Sequence, residues 1–349
     1  MMNITENYSG ISPDKLFALA ARENNAKRGG LIVNFLQAKH VPAKPSETLA
    51  LFDRLAERVI PEICEKKVMV IGFAETATAI GAELAARLSD SCECTYIHTT
   101  REKFPEDMRL ALFSEEHSHA TEQCLYSDKG LDIFGGIERI IFAEDELTTG
   151  KTILNFIEAL KNITDCKFSA ASIINGMSGE NLCKYKAMGV GVHYLVKIDS
   201  SADTLKEGIS VTPREDGEFD IFSVPEELTL RMDKNKDPRL GIGGAEYEKY
   251  CVTAAEEFFE KMKPFLTGKT IDVIGTEECM FPAIKLGELL EEKGYDVRCH
   301  ATTRSPIIPS GDEGYPLFAR YRVKSVYDEE RRTFIYNLYD CDNRIAVAG

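Results

Sequence analysis

Short apolar runs alternate with stretches of helical periodicity along the first two hundred residues. Lys67 to Ile71 (KVMVI), Glu93 to His98 (ECTYIH), Ile140 to Phe142 (IIF), Lys167 to Gly176 (KFSAASIING) and Val192 to Ile198 (VHYLVKI) read as buried strands. Unbroken apolar runs bounded by polar residues suit a parallel sheet covered on both faces. Amphipathic stretches lie between them. Residues 46–65 follow Ser46 as N-cap, AELAARL follows Gly81, ILNFIEALKN follows Thr152, and Ser178 opens a stretch to about Met188. Upstream, Ser12 and Pro13 predict a helix over 12–23. The alternation from about 67 to 198 predicts an α/β fold, a mainly parallel sheet with helices on both faces. In such a sheet ligands bind at the carboxyl ends of the strands.

Residues 199–243 break the pattern. Pro, Gly, Asp and Lys concentrate there around one candidate strand, FDIFSV, and the glycine cluster at 241–244 follows no clear strand, so it is not a dinucleotide fingerprint. The expected division is a first domain over 1–205, a junction over 206–243 and a second α/β domain over 244–349, opening with a helix over 245–263. A chain of 349 residues is long enough for two such cores. Its net charge of -15 argues against direct nucleic-acid binding. No apolar run approaches a membrane span. Ten cysteines without a CxxC pair or metal-ligand spacing, and no visible signal peptide, point to free thiols in the cytoplasm.

The densest chemistry lies at 140–152, IIFAEDELTTGKT. An apolar strand ending at Ala143 meets two adjacent carboxylates, Glu144 and Asp145. Leu147 then leads into the turn Thr148-Thr149-Gly150-Lys151-Thr152, where a helix begins. A glycine turn at a helix start offers free amides and positive potential to a phosphate, and the threonines add hydroxyls. The acids can accept bonds from a diol or hold hydrated Mg²⁺. Phosphate at one end and diol at the other describe a ribose 5-phosphate. The plainer reading is a helix capped by Thr148 or Thr149.

Gly72-Phe73-Ala74-Glu75-Thr76 opens a second strand–turn–helix, small enough for backbone amides to approach an anion, or simply a tight turn. Thr99-Thr100-Arg101 ends the next strand, with Arg101 a bidentate candidate for an anion. The poorly periodic connection that follows to about 130 reads as a lid, and its His117 and His119 as proton relays or latches, against a surface turn. Lys27, Arg28, Lys39, His40 and Lys44 surround LIV. That segment is an edge strand guarded by cations, a polyanion-facing lip or part of a base-binding hood.

The second half echoes the first. Ile271 to Gly275 (IDVIG) repeats VMVIG, Glu278 stands at the offset of Glu75, and 29 residues separate Gly72 from Arg101 and again Gly275 from Arg304. This reads as an internal duplication. Thr302, Thr303, Arg304 and Ser305 then form a candidate second anion site, or Arg304 pairs with Glu278 or another carboxylate to pin the domain. Asp340 and Asp342 end a later apolar strand without a Thr-Thr-Gly turn after it.

Residues 140–152 resemble the phosphoribosyl pyrophosphate signature of type I phosphoribosyltransferases, with Glu146 departing where an apolar residue is usual. The whole chain, through KRGGLIVNFLQAKHVPAKP, GFAETATAIG, EEHSHA, FAEDELTTGKT and the Thr303-Arg304-Ser305-Pro306 signature, resembles a bacterial family that joins a divergent phosphoribosyltransferase to a C-terminal TRSP domain. The resemblance implies a cytoplasmic, Mg²⁺-dependent glycosyltransferase of tellurium-resistance or stress-response gene clusters. It implies phosphoribosyl pyrophosphate as co-substrate and a small-molecule base as acceptor, with residues 72–76 and Arg101 at the pyrophosphate. A homodimer is a candidate assembly. A regulator that binds phosphoribosyl pyrophosphate without turnover, a nucleotide lyase or phosphatase, and a scaffold are the alternatives.

Overall fold

The five apolar runs become the middle of one sheet, because each can be covered on both faces by the helices that follow it. The computed structural model describes residues 3–23, 30–113, 123–199, 209–221, 233, 236–328 and 330–349. In chain order the first elements are β1 (Ile4–Asn7), α1 (Pro13–Leu16), β2 (Phe17–Ala21), β3 (Gly30–Asn34), α2 (Pro45–Val59), β4 (Lys67–Gly72), α3 (Thr78–Leu88) and β5 (Glu93–His98). Then come β6 (Arg109–Phe113), β7 (Gln123–Tyr126), β8 (Arg139–Leu147), α4 (Lys151–Leu160), β9 (Lys167–Asn175), α5 (Gly179–Ala187) and β10 (Gly191–Ile198). The remainder holds β11 (Gly217–Glu218), β12 (Ile242–Gly243), α6 (Gly244–Met262), β13 (Thr270–Gly275), α7 (Met280–Glu292), β14 (Asp296–Ala301), β15 (Arg320–Lys324), β16 (Arg332–Tyr336) and β17 (Asn343–Val347).

The main sheet has the order β1-β10-β9-β8-β4-β5-β12, parallel from β10 to β5 and antiparallel at both edges. The α/β fold read from the sequence is therefore the fold of the chain. A second, three-stranded parallel sheet runs β14-β13-β17. One hydrophobic cluster unites the two: Val68 and Val70 of β4, Leu84 of α3, Phe281 of α7, and Ile271 and Val273 of β13 belong to it. Helices α2, α3, α6 and α7 pack on one another within it. The opposite face of the main sheet, with Phe142 and Ile140, is covered by Ile153, Phe156 and Ile157 of α4 and Tyr185 of α5.

Several expectations give way to packing. The helix over 12–23 stops after α1, and its second half is strand β2, paired antiparallel to β3. Ala20 and Val33 of that hairpin are buried against Ile307, Leu317 and Tyr336, so a tertiary surface overrides the local helix signal. The poorly periodic connection after Arg101 is a hairpin, β6 with β7, and residues 114–122 between them lie outside the described residues. Of FDIFSV, only residues up to Ile221 are described, and the nearby strand is the short β11. The glycine cluster contributes β12 and the start of α6. A Cβ on Gly244 would lie 2.5 Å from the Ala85 carbonyl oxygen, so glycine lets α6 approach α3.

Candidate active site

β8 does not end at Ala143. It runs to Leu147, pairing Glu144 with Ser172 and Leu147 with Asn175 of β9, whereas its other neighbour β4 stops at Gly72 opposite Ala143. Glu144, Asp145 and Glu146 thus stand beyond the end of β4 on a strand supported from one side, and all three are half-buried. Side chains alternate along a strand, so Glu144 follows the face of Phe142 and Asp145 that of Ala143. Glu144 lies toward Tyr185, whose phenol burial and that carboxylate together push well above its ordinary pKa.

Gly150, not a threonine, is the N-cap residue of α4. Its φ of 72° is left-handed, and a Cβ there would meet Met177 Sδ at 2.5 Å and the Tyr185 hydroxyl at 2.7 Å. Tyr185 donates to the Gly150 carbonyl (2.7 Å), Gly176 N–H donates to the Leu147 carbonyl (2.7 Å), and Lys151 N–H donates to Thr149 Oγ1 (3.3 Å). The turn is therefore fixed from behind. Thr148, Thr149 and Thr152 are half-buried, Lys151 is exposed, and the first turn of α4 carries no acid, which leaves its electropositive end uncompensated. Tyr185 escaped the sequence reading because nothing local links it to a turn so far upstream.

The loop at Gly72 to Thr76 lies between β8 and the end of β5: Phe73 N–H donates to the Ala143 carbonyl (3.2 Å) and Thr99 N–H to the Gly72 carbonyl (2.9 Å). Its Ala74 N–H is taken by Thr99 Oγ1 (2.9 Å) and its Thr76 carbonyl by Gln37 Nε2 (2.9 Å). Glu75 is buried. Lys39 Nζ stands 3.2 Å from its Oε2, Arg304 Nε 2.6 Å and Arg101 Nη1 3.7 Å from its Oε1. Burial raises the Glu75 pKa, but Lys39, Arg304 and Arg101 outweigh it and hold the carboxyl well below the usual range.

Lys39 is the largest departure from the surface cluster expected around LIV. Its side chain is 1% exposed, and its ammonium also donates to the Glu277 carbonyl (3.2 Å) and the Thr302 carbonyl (3.1 Å). Burial lowers its pKa against the pull of Glu75. His40 is half-buried beside the Tyr336 ring, and desolvation of its ring together with Lys39 lowers its pKa to about 3, so it is neutral. Lys44 is half-buried, and Lys27 and Arg28 lie outside the described residues, as do His117 and His119.

Thr302 to Ser305 occupy the place in the second copy that Thr99 to Glu102 hold in the first. Arg304 pairs with a carboxylate, but with Glu75 across the duplication, not with Glu278. Thr303 Oγ1 also donates to Glu75 (3.2 Å). Reciprocally, Glu278 accepts from Thr100 Oγ1 (2.7 Å) and from Arg101 N–H (3.1 Å). Each loop glutamate sits in the other copy's Thr-Arg turn. Glu277, which the sequence reading passed over, pairs with Arg331 (2.8 Å) and Ser325, and Arg331 reaches Glu102. Asp340 and Asp342 do not end the counterpart of β8. That counterpart is β17, which pairs Val347 with Gly275 as β8 pairs Ala143 with Gly72, while Asp342 binds the N–H groups of Lys269 and Thr270.

Among the described residues no cluster of three or more His, Cys, Asp or Glu side chains is arranged to hold a metal by itself. Glu144 and Asp145, on opposite faces of β8, each offer Mg²⁺ one carboxylate, and the ion commonly takes one or two and completes its shell with water and substrate phosphates. Among the described residues no helix is long and apolar enough to cross a membrane.

Residues 16–204 match the family described as phosphoribosyl transferase, and residues 236–347 match the TRSP domain found C-terminal to it. Similar solved structures include the adenine phosphoribosyltransferase of Trypanosoma brucei, in complex with AMP, pyrophosphate and ribose-5-phosphate. It is 13% identical, covers 56% of this chain and 86% of its own, and has a TM-score of 0.38. The adenine phosphoribosyltransferase of Leishmania tarentolae is 15% identical over 56% of this chain and 90% of its own (TM-score 0.36). The orotate phosphoribosyltransferase of Aeropyrum pernix is 21% identical over 47% and 78% (TM-score 0.29). No protein of curated function matches the sequence.

Proposed function

Because the chain belongs to the phosphoribosyl transferase family, we propose that it transfers ribose 5-phosphate from phosphoribosyl pyrophosphate to a nucleobase-like acceptor and releases pyrophosphate. The observation that carries this reading is the 139–160 segment. Two carboxylates stand past the end of β4, and a left-handed glycine turn, fixed by Tyr185, opens α4.

In this reading the amides and hydroxyls of Thr148 to Thr152 hold the 5-phosphate, and Glu144 and Asp145 hold the ribose hydroxyls. The 72–76 loop and Arg101 meet the pyrophosphate. Mg²⁺, held by Glu144 and Asp145 with the donor's phosphates, would neutralise charge on the leaving group. Catalysis is then positioning and electrostatic stabilisation. His117 and His119 belong to the proposal as groups on a closing lid that excludes water. So do the division into a transferase domain and a second domain, a tellurium-resistance or stress setting, a cytoplasmic location and a homodimer.

A second reading, a binder without turnover, draws on one observation: Glu75 fills the loop that should greet pyrophosphate with a buried negative charge. Incubation with phosphoribosyl pyrophosphate, Mg²⁺ and a panel of bases separates the two. Pyrophosphate release with a base-dependent product mass is expected. Saturable binding without release from any base would leave the binder.

A further inference from the structure

Two guanidinium groups from opposite copies of the duplication converge on one oxygen. Arg304 Nε and Arg101 Nη1 lie 2.6 and 3.7 Å from the same Glu75 Oε1. Two cations so close need an anion between them. Their side chains keep 18% and 14% exposure, whereas Glu75 keeps 5%. Arg304 Nη2, although buried, has no acceptor among the described residues.

We propose that Arg304 of the second copy and Arg101 of the first together receive the donor's pyrophosphate, and that the Glu75 carboxylate is an internal stand-in which occupies them until the donor arrives. This rests on the phosphoribosyl pyrophosphate reading above and adds a residue from the C-terminal half to that site. The exchange is balanced because Glu75 has a second cation. Lys39 Nζ lies 3.2 Å from the other oxygen and is held by two backbone carbonyls, so Glu75 can release both arginines without becoming a lone buried charge. Pyrophosphate brings more charge and more acceptor oxygens than a carboxylate, and guanidinium groups bind phosphate in two-point fashion. The opposite cradle lacks this arrangement: Glu278 is held there by a hydroxyl and a backbone N–H.

Calorimetric titration of the full chain with inorganic pyrophosphate and Mg²⁺ tests the exchange. Removing the internal competitor, Glu75→Gln, should tighten binding about tenfold, and Arg304→Gln should weaken it about tenfold, the scale of one charged hydrogen bond. Ribose 5-phosphate, the probe of the 148–152 turn, should bind both variants as it binds the unaltered chain. Unchanged or weaker pyrophosphate binding in Glu75→Gln overturns the proposal, and so does unchanged binding in Arg304→Gln, which decides alone if the Glu75 variant does not fold. Failure of ribose 5-phosphate to bind the unaltered chain would count against the functional reading, while the pyrophosphate arms would still judge the exchange.

Discussion

The two copies of the duplicated unit share a scaffold and differ in what leaves it. In both, a parallel strand, a loop with a glutamate, a helix, a second strand and a Thr-Thr-Arg turn follow at matching positions, and in both a third strand pairs on the far side of the first. The first copy continues that third strand past its neighbour into Glu144, Asp145 and the glycine turn. The second reaches Val347 opposite Gly275 with no acid pair in place. The interiors diverge as well. Where the first copy buries Met69 and Ile97, the second buries Asp272 and His300, 3.0 Å apart, with Arg344 on the same carboxylate. The shared part serves packing, and in the proposed reaction the chemistry falls to the few residues that outrun a strand end.

The largest effect that would test this contrast is on transfer. Glu144→Gln combined with Asp145→Asn should lower pyrophosphate release by about a thousandfold or more. Val347→Ala, at the matching strand end, should leave it within about twofold. Full turnover in the double variant would remove the acids from the mechanism and the contrast with them. Glycines give the next effect. Gly150→Ala forces a Cβ into Tyr185 at positive φ and should cost about 2–3 kcal/mol in urea unfolding. Gly294→Ala, at positive φ but with open space around it, should cost only about 1 kcal/mol.

Much of this scaffold was legible. The apolar runs, the turn at Gly150 and the matched offsets of Glu75 and Glu278 are local signals, written within a few residues of where they act. The crosswise pairing was not. Spacing within one copy suggests Glu278 beside Arg304, and only the packing of α3, α6 and α7 decides that each turn faces the other copy's loop. Lys39 and His40 read as surface cations because their burial depends on Glu75, Glu277 and Tyr336, all remote in sequence. The 12–23 segment misled for the same reason: Ile307 and Leu317 choose strand over helix.

The cradles themselves should be unequal. Thr100→Val leaves buried Glu278, whose pKa burial already raises, with fewer donors and should cost about 2 kcal/mol. Thr303→Val should cost under about 1 kcal/mol, because Lys39 and Arg304 remain on Glu75. Equal losses would show that the two cradles are equivalent.

A pH-dependent effect concerns the helices that join the copies. Burial lifts Glu83 of α3 from 4.5 to about 7, against the pull of Lys285 and Arg87. A carboxyl that is more basic when folded adds stability below about pH 4.5, and that contribution fades as pH climbs through about 7. Glu83→Gln should therefore flatten the profile and be more stable than the unaltered chain at pH 8 by about 1–2 kcal/mol, with the difference shrinking toward pH 5. Parallel unfolding curves at both pH values would show that Glu83 stays ionised throughout.

The crosswise grip also sets a timetable for biosynthesis. Arg304 lies 229 residues after Glu75, an interval that takes the ribosome roughly 10–45 s at ~5–20 residues per second. Throughout that interval Glu75 has only the first-half cations Lys39 and Arg101 within reach, without the arginine and threonine of the second copy. The nascent first half therefore carries the 72–76 loop with an incomplete grip on Glu75 until the last third of these 349 residues arrives, so synthesis of residues 16–204 alone does not close the crosswise contact.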